Sequence, residues 1–319
     1  MPLVLGIDEA GYGPVLGPLV IGATLWRVPP RLLTADWWET LGDTVVRAGG
    51  RSDRRLPVDD SKAVFDRKRG LASLERSVLA FAQVAGVSCE TEGAFFTALG
   101  FSDHLASACP WYHNLTSPLP HDPARSAHEG AADRLAATMS ATGLTCCGLR
   151  AEVLTEDAFN RRVGQTHNKA TVVVEAVLRL IAWAGREART QDLHVQVDRL
   201  GGRAHYRTWL MPAFPERHVH VVDESEPRSA YRLASADSDW HIEFAVDADR
   251  DHLPVALASM VAKYVRELVM ARFNAYWQAR RTALAATAGY YTDAQRFLAD
   301  LGPLAGQGGV PRECFVRAR

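Results

Sequence analysis

Leu3-Val4-Leu5-Gly6-Ile7-Asp8-Glu9-Ala10-Gly11-Tyr12-Gly13-Pro14 is an apolar run that stops at two adjacent carboxylates and a glycine-punctuated turn. Leu3, Val4, Leu5 and Ile7 read as a buried strand, and acids are poor strand formers. Two acids side by side at a strand end, next to a Gly-x-Gly turn, repel each other unless a cation sits there. A second apolar run, Leu16 to Trp26, is expected to return as a hairpin partner. The stretch therefore suits a divalent-metal site on a rigid sheet edge, with turn N–H groups facing a phosphate or sugar. It suits equally a solvated turn holding two surface acids, and the segment alone does not choose.

Working outward, strands are expected at 2–8 and 17–27, a helix at 30–48, and a second helix over 64–83 from the spacing of Leu71, Leu74, Val78, Leu79 and Ala82. Residues 84–90 read as a strand. The segment 91–145, rich in Ser, His, Pro and Ala, reads as an insertion that caps one side of the core, with a helical stretch at 128–141. Its His104, His113, His121 and His128 fit no compact metal motif and read as ordinary loop histidines. Strand character resumes at 149–153, a helix runs from Asn168 to Trp183, and strands follow at 193–197, 218–223 and 241–246. A long helix is expected from Pro254 to Ala286 and a short one at 293–301 with Thr292 as its cap. Alternating strands and helices predict an α/β fold with a mixed sheet.

The 319 residues are enough to bury a sizeable core, and 47% hydrophobic with 23% charged residues is ordinary for a soluble globular chain. A net charge of −1 supplies no global attraction to nucleic acid, so any such binding must use a local basic face. Arg51, Arg54, Arg55, Arg67, Lys68 and Arg69 form the densest basic patch. It reads as a solvated face or as a track for a nucleic-acid backbone. Five cysteines without zinc-like spacing indicate a reducing compartment, and the vicinal Cys146-Cys147 pair reads as strand or core filling. Asp8 and Glu9 interrupt the first apolar run, which argues against a signal peptide or membrane span. A cytoplasmic enzyme is the expectation.

Asp198 repeats the arrangement of Asp8, closing the apolar strand Val195–Val197 before Gly201-Gly202. Acids at the ends of two strands of one sheet can meet at one edge. In the long helix, Ser259, Lys263 and Glu267 are spaced i, i+4, i+8 and draw a polar stripe along an otherwise apolar surface, which needs partners. A carboxylate cluster would supply them; an i, i+4 salt bridge from Lys263 to Glu267 would too. Two Asp and two Glu converging would hold two Mg²⁺ or Mn²⁺ ions about 4 Å apart, a geometry suited to phosphodiester cleavage. In Asp60-Ser61-Lys62, Asp60 or Ser61 reads as a helix N-cap, and Lys62 would point a cation at the same edge. Tyr290 is either a packed aromatic or a surface for stacking on a sugar or base.

Taken in order, these segments resemble the type 2 ribonuclease H family, ribonucleases HII and HIII. The matching pieces are Gly6-Ile-Asp8-Glu9-Ala-Gly11-x-Gly13-Pro14, Asp60-Ser61-Lys62, the helix from Asn168, Val197-Asp198, Ala258-Ser259-x-x-Ala262-Lys263-x-x-Arg266, Gly289-Tyr290-x-Thr292 and Arg312-x-Cys314-Phe315. The resemblance implies a ribonuclease H-like fold, a mixed five-stranded sheet flanked by helices, as one catalytic domain over 1–319 with the 91–145 insertion within it. It implies divalent-metal-dependent endonucleolytic cleavage of the RNA strand in RNA–DNA hybrids, or of another RNA-containing duplex, leaving 3′-hydroxyl and 5′-phosphate ends. Asp8, Glu9, Asp198 and Glu267 take the places of the catalytic and metal-binding acids, the last as in the HIII branch. Gly11, Tyr12, Gly13, Lys62, Lys263 and Tyr290 take substrate-facing places.

Two departures stand out: Tyr12 replaces the arginine of the HII Gly-Arg-Gly turn, and Thr287-Ala288 replaces the His-Lys before Gly-Tyr. Gly11 and Gly13 keep the backbone donors for a ribose 2′-hydroxyl. Cleavage at a single ribonucleotide embedded in DNA loses the arginine it would use. Two other functions remain open from the residues alone: a nucleic-acid-binding paralogue without cleavage, and a metal nuclease of the same fold acting on another structure such as branched DNA.

Overall fold

The computed structural model describes residues 1–47, 53–65, 70–101, 109–121, 130–304 and 310–318. Arg51, Arg67, Lys68, Arg69, His104 and His128 lie outside the described residues. The strands are β1 Leu3–Ala10, β2 Leu19–Arg27, β3 Val45–Val46, β4 Leu56–Pro57, β5 Thr145–Leu154, β6 Leu193–Asp198, β7 His218–Ser225, β8 Arg228–Ala234 and β9 Asp239–Ala245. The helices are α1 Trp37–Thr40, α2 Ser61–Val64, α3 Ala72–Val84, α4 Glu92–Ala98, α5 Ala131–Thr142, α6 Glu156–Thr166, α7 Lys169–Ala188, α8 Arg207–Ala213, α9 Ala248–Asp251, α10 Leu253–Gln278 and α11 Tyr291–Leu301.

The α/β class with a mixed sheet flanked by helices is what the chain adopts. The large sheet runs β5-β2-β1-β6-β9-β8-β7, seven strands where the resemblance implied five. β1 pairs antiparallel with β2 and parallel with β6, which pairs parallel with β9. The β8–β7 hairpin extends the sheet beyond β9. β1 sits centrally with both faces covered, which is why its sequence is a continuous apolar run rather than an alternation. Leu3, Leu5 and Ile7 enter one core with α7, while Val4 faces the other with α10. α10 is buried on most sides, so its sequence is apolar nearly all round.

Two glycines set how closely α10 approaches. A Cβ on Gly6 would stand 2.2 Å from the Pro254 carbonyl carbon, and one on Gly22 would stand 2.2 Å from the Ala258 oxygen. The helix thus lies directly on the β1–β2 backbone, running from Gly6 towards Gly11. The described parts of 91–145 join this same core: Phe95, Phe96, Trp111, Tyr112, Leu135 and Met139 are buried within it.

Several expected elements differ. In the expected helix at 30–48, the described residues 30–47 form a short 3-10 turn, α1 and β3 instead, because the Asp36 carboxylate caps a new start at Trp38 and Glu39. Residues 84–90 form no strand: α3 runs to Val84, and the Val87 N–H turns back to Ala82 O. α10 stops at Gln278, short of Ala286. In α11 the first turn begins before Thr292, without a side-chain cap. β8, α6 and α8 had no counterpart in the expected order. Asp60 does cap α2 through Lys62 N, and Asn168 caps α7 through Ala170 N. No helix among the described residues is long and apolar enough to cross a membrane.

Candidate active site

The parallel pairing of β1 with β6 brings the strand-end acids together. Its register ends at Ile7 opposite Val197, so Asp8 and Asp198 are the next residues on adjacent strands, which lie about 4.8 Å apart. Ile7 and Val197 point into the α7 core, so Asp8 and Asp198 point the other way, towards α10. Asp8 is only 7% exposed. Its Oδ1 accepts from the Glu9 N–H at 2.6 Å, and the Ser259 hydroxyl of α10 also bonds it. Ser259 in turn meets the Ser61 hydroxyl at 3.2 Å, joining α10 to α2. The Asp198 Oδ1 accepts from the Ala248 N–H at 3.0 Å, which fixes it against α9.

These acids raise one another. Burial, then the charges of Glu9 and Asp198, hold Asp8 well above the usual carboxylate range. Burial and Asp198 push Glu9 up to about 7, against the pull of Lys62. Asp198 is pushed up to about 6, first by burial and then by Asp249 and Asp247. Glu9 Oε2 is buried with no hydrogen-bond partner. Such a group is costly unless a further group completes it. An all-carboxylate donor set with an orphaned oxygen fits a hard divalent cation such as Mg²⁺ or Mn²⁺. Among the described residues, no three His, Cys, Asp or Glu side chains already close into a coordination cage.

Glu267 is paired within its own helix. The Lys263 Nζ lies 2.5 Å from its Oε1 and the Arg266 Nη1 lies 3.8 Å away. Lys263 also sits over the Phe65 ring, 4.5 Å from its centre. The polar stripe on α10 is therefore divided: Ser259 serves Asp8, and Lys263 and Glu267 serve each other. Lys62 is exposed, and its charge acts on both Glu9 and Asp249.

Beyond Glu9 the chain turns at Gly11 with φ +93°, where a Cβ would stand 2.5 Å from Arg266 Nε. Only glycine combines that backbone and that contact without strain. Tyr12 is 44% exposed, and open space lies over Gly13. The Gly289 carbonyl accepts from Val15 N at 2.8 Å and Leu16 N at 3.2 Å, so the turn carrying Tyr290, 49% exposed, is tied to the Gly11–Pro14 turn. Two exposed tyrosines thus sit on turns that are tied together by backbone bonds.

The sequence reading missed Asp247, Asp249 and the part Asp60 plays here. Burial and the charges of Asp60 and Asp247 raise Asp249. The acid-rich run Asp247-Ala-Asp249-Arg-Asp251 just before the long helix was the available signal. Arg54 and Arg55, the described part of the basic patch, lie elsewhere, with Arg55 paired to Asp53 at 2.8 Å. His121 is bonded to Glu92 rather than free.

No family model and no curated protein matches this sequence. Among solved structures, the chain is similar to the RNase HII of the PCNA:RNase HII complex from Archaeoglobus fulgidus, at 15% identity, over 99% of this chain and 94% of that one, with a TM-score of 0.45. It is similar to ribonuclease H2 from Pyrococcus horikoshii OT3 at 16% identity, covering 98% and 92%, with a TM-score of 0.47. Bst-RNase HIII in complex with Mn²⁺ is 13% identical, with coverage of 99% and 66% and a TM-score of 0.39. Likenesses this distant assign no activity to the chain.

Proposed function

We propose that this protein is a type 2 ribonuclease H: a divalent-metal-dependent endonuclease that cuts the RNA strand of RNA–DNA hybrids. The observation that carries the reading is the crowding of Asp8, Glu9 and Asp198 at the ends of two parallel strands, with one buried carboxylate oxygen unpartnered. Residues 1–319 act in this reading as one catalytic unit, with the described parts of 91–145 contributing to its core.

Asp8, Glu9 and Asp198 are the residues that would hold Mg²⁺ or Mn²⁺, with Glu267 joining from α10 on release from Lys263. A pair of such ions supplies an activated water and stabilisation of the leaving oxygen of a phosphodiester. Ser259 and the Ala248 N–H hold Asp8 and Asp198 in fixed rotamers, so the acids need little reorganisation. Lys62 is placed to meet a substrate phosphate and Lys263 to orient Glu267. The N–H groups of the Gly11–Gly13 turn face the ribose and phosphate, while Tyr12 and Tyr290 offer ring surfaces to the strand. Scission on the 3′-oxygen side of the phosphate leaves 3′-hydroxyl and 5′-phosphate ends.

The test is a panel of labelled RNA–DNA hybrid, embedded-ribonucleotide duplex, plain duplex and junction substrates in Mg²⁺ or Mn²⁺. Cleavage of the RNA strand of the hybrid alone is expected; a wild-type protein that cuts none of them refutes the reading. The Lys263–Glu267 ion pair favours one second reading, because it keeps the fourth acid from the cluster. A nucleic-acid-binding protein without cleavage would bind hybrid in a salt-dependent way and give no product in Mn²⁺.

A further inference from the structure

The turn that presents Gly11, Tyr12 and Gly13 is held from beneath by residues near the C-terminal end of the chain. Arg317 Nη2 donates to the Gly11 carbonyl at 2.5 Å and also to the Pro14 carbonyl. The Arg317 backbone N–H donates to Val15 O at 2.8 Å, and Val316 forms an antiparallel bridge with Leu16. From α10, Arg266 takes the next carbonyls, Leu16 and Pro18 at 3.3 Å each and Ala288 at 3.0 Å. Both arginines are almost fully buried. The strap carrying Arg317 is itself pinned by Asn160 of α6, whose Nδ2 donates to Glu313 O and Val316 O at 2.8 Å and whose Oδ1 accepts from Ala318 N at 2.6 Å.

The other side of the turn is the reverse. The N–H groups of Tyr12 and Gly13 have no acceptor among the described residues, and they lie beside the acid edge. Carbonyls tied down on one side and donors left open on the other make a concave donor surface of the kind that takes anionic or hydroxyl oxygens. Burying a guanidinium is costly, and a turn with only a structural task could leave its carbonyls to water. Burial and the neighbouring Arg266 charge lower Arg317 to about 10, with Glu156 acting in the opposite sense.

We propose that Arg317 is a positioning residue for substrate: by gripping the Gly11 and Pro14 carbonyls it aims the Tyr12 and Gly13 N–H groups at the ribose–phosphate of the bound strand. The inference rests on the ribonuclease reading for its substrate, but the grip on the turn stands independently of it. Both carbonyl bonds come from Nη2, with Nε and Nη1 buried and unpartnered among the described residues, so a lysine, one ammonium on a differently shaped stem, restores the grip only in part.

The experiment compares wild type, Arg317→Met, Arg317→Lys and Asn160→Ala in steady-state cleavage of a labelled RNA–DNA hybrid, with thermal melting and backbone heteronuclear NOEs for Gly11, Tyr12 and Gly13. Arg317→Met is expected to raise KM about tenfold, with kcat within about threefold of wild type, because the grip acts on placement rather than on the acids. The NOEs of the turn fall, Arg317→Lys recovers part of the KM, and Asn160→Ala shifts KM in the same direction by a smaller factor. A well-folded Arg317→Met with unchanged KM and unchanged NOEs overturns the proposal. If that variant does not fold, unchanged KM and NOEs in Asn160→Ala overturn it instead. Should wild type cleave nothing, the ribonuclease reading fails by itself, and the NOEs of the turn still decide whether Arg317 holds it.

Discussion

Two groups of carboxylates, Glu75 with Glu92 and Asp8 with Glu9 and Asp198, are provided for in opposite ways. Glu75 and Glu92 are each 1% exposed, and both are met by partners. Tyr264 donates to Glu75 at 2.7 Å and the His121 N–H does so at 3.0 Å. Glu92 holds Arg272 on one oxygen and the His121 ring, 2.8 Å away, on the other. Asp8, Glu9 and Asp198 instead face one another, with a few N–H and hydroxyl donors and one distant lysine to offset them. The first group is a set of struts between the 91–145 region and α10. The second is a concentration of like charge that the fold tolerates without neutralising, which is what the proposed cation site would require.

The sharpest way to break this contrast is Asp8→Asn. Hybrid cleavage should fall by about 10³-fold or more, in the range seen when a preorganised charge is removed from a reacting centre. Melting temperature without divalent ions should hold or rise, because a repulsive charge is gone. An Asp8→Asn protein that cuts at the wild-type rate would dissolve the functional half of the comparison. Glu92→Ala should do the converse, costing about 3 kcal/mol in urea unfolding by removing the buried carboxylate that pairs the half-buried Arg272 and the His121 ring. KM per folded molecule should stay the same, and equal stability to wild type would show the strut to be dispensable.

The two groups also differ in their linkage to pH. Glu9 near 7, Asp198 near 6 and Asp8, held well above the usual carboxylate range, all keep protons in the folded state that the unfolded chain releases near pH 4. The folded form then binds more protons between those values, so stability is highest below about pH 4 as regards these groups and declines as pH rises towards 7. Each tenfold difference in a carboxyl's proton affinity between the folded and unfolded chain accounts for at most about 1.4 kcal/mol of that decline. Mg²⁺ or Mn²⁺ should restore the loss at pH 8 and add little at pH 5, read by thermal melting of wild type, with the effect blunted in Asp8→Asn. A metal response equal at both pH values contradicts this linkage. The smallest effect expected is that of Lys62→Met: weaker hybrid binding by a few-fold and a salt-dependence slope lower by about one, as for a single phosphate contact. An unchanged slope would remove Lys62 from the substrate path.

How far these features could be seen in the sequence depends on the range of the forces that create them. β1, β2 and the body of α10 were legible because burial on both faces leaves continuous apolar runs, and β6 because Leu193, Val195 and Val197 alternate with polar residues. The Asp60 and Asn168 caps were legible because capping is local. β8 was not: Arg228-Ser-Ala-Tyr-Arg-Leu-Ala owes its strand to β7 and β9 on either side and carries no strong apolar alternation. The split of the expected 30–48 helix was also hidden, since Val45–Val46 is a strand only through its partner Leu56–Pro57. At the site, strand-end acids announced Asp8, Glu9 and Asp198. Whether Glu267 turns to them or to Lys263 is a choice of rotamer that spacing does not encode, and Arg317 serves residues some three hundred positions away.

Gly6 and Gly22 carry a consequence for reading mutations in this chain. Gly6 lies two residues before Asp8 and Gly22 stands directly opposite it on β2, and each is where the helix backbone rests directly on a strand. Adding a single methyl group at either would lift α10 and carry Ser259 off Asp8, so a change of pure bulk would be scored in an assay as a chemical defect. Inactive variants from a random screen at these two positions would therefore report on spacing between layers and say nothing about the chemistry of the acids.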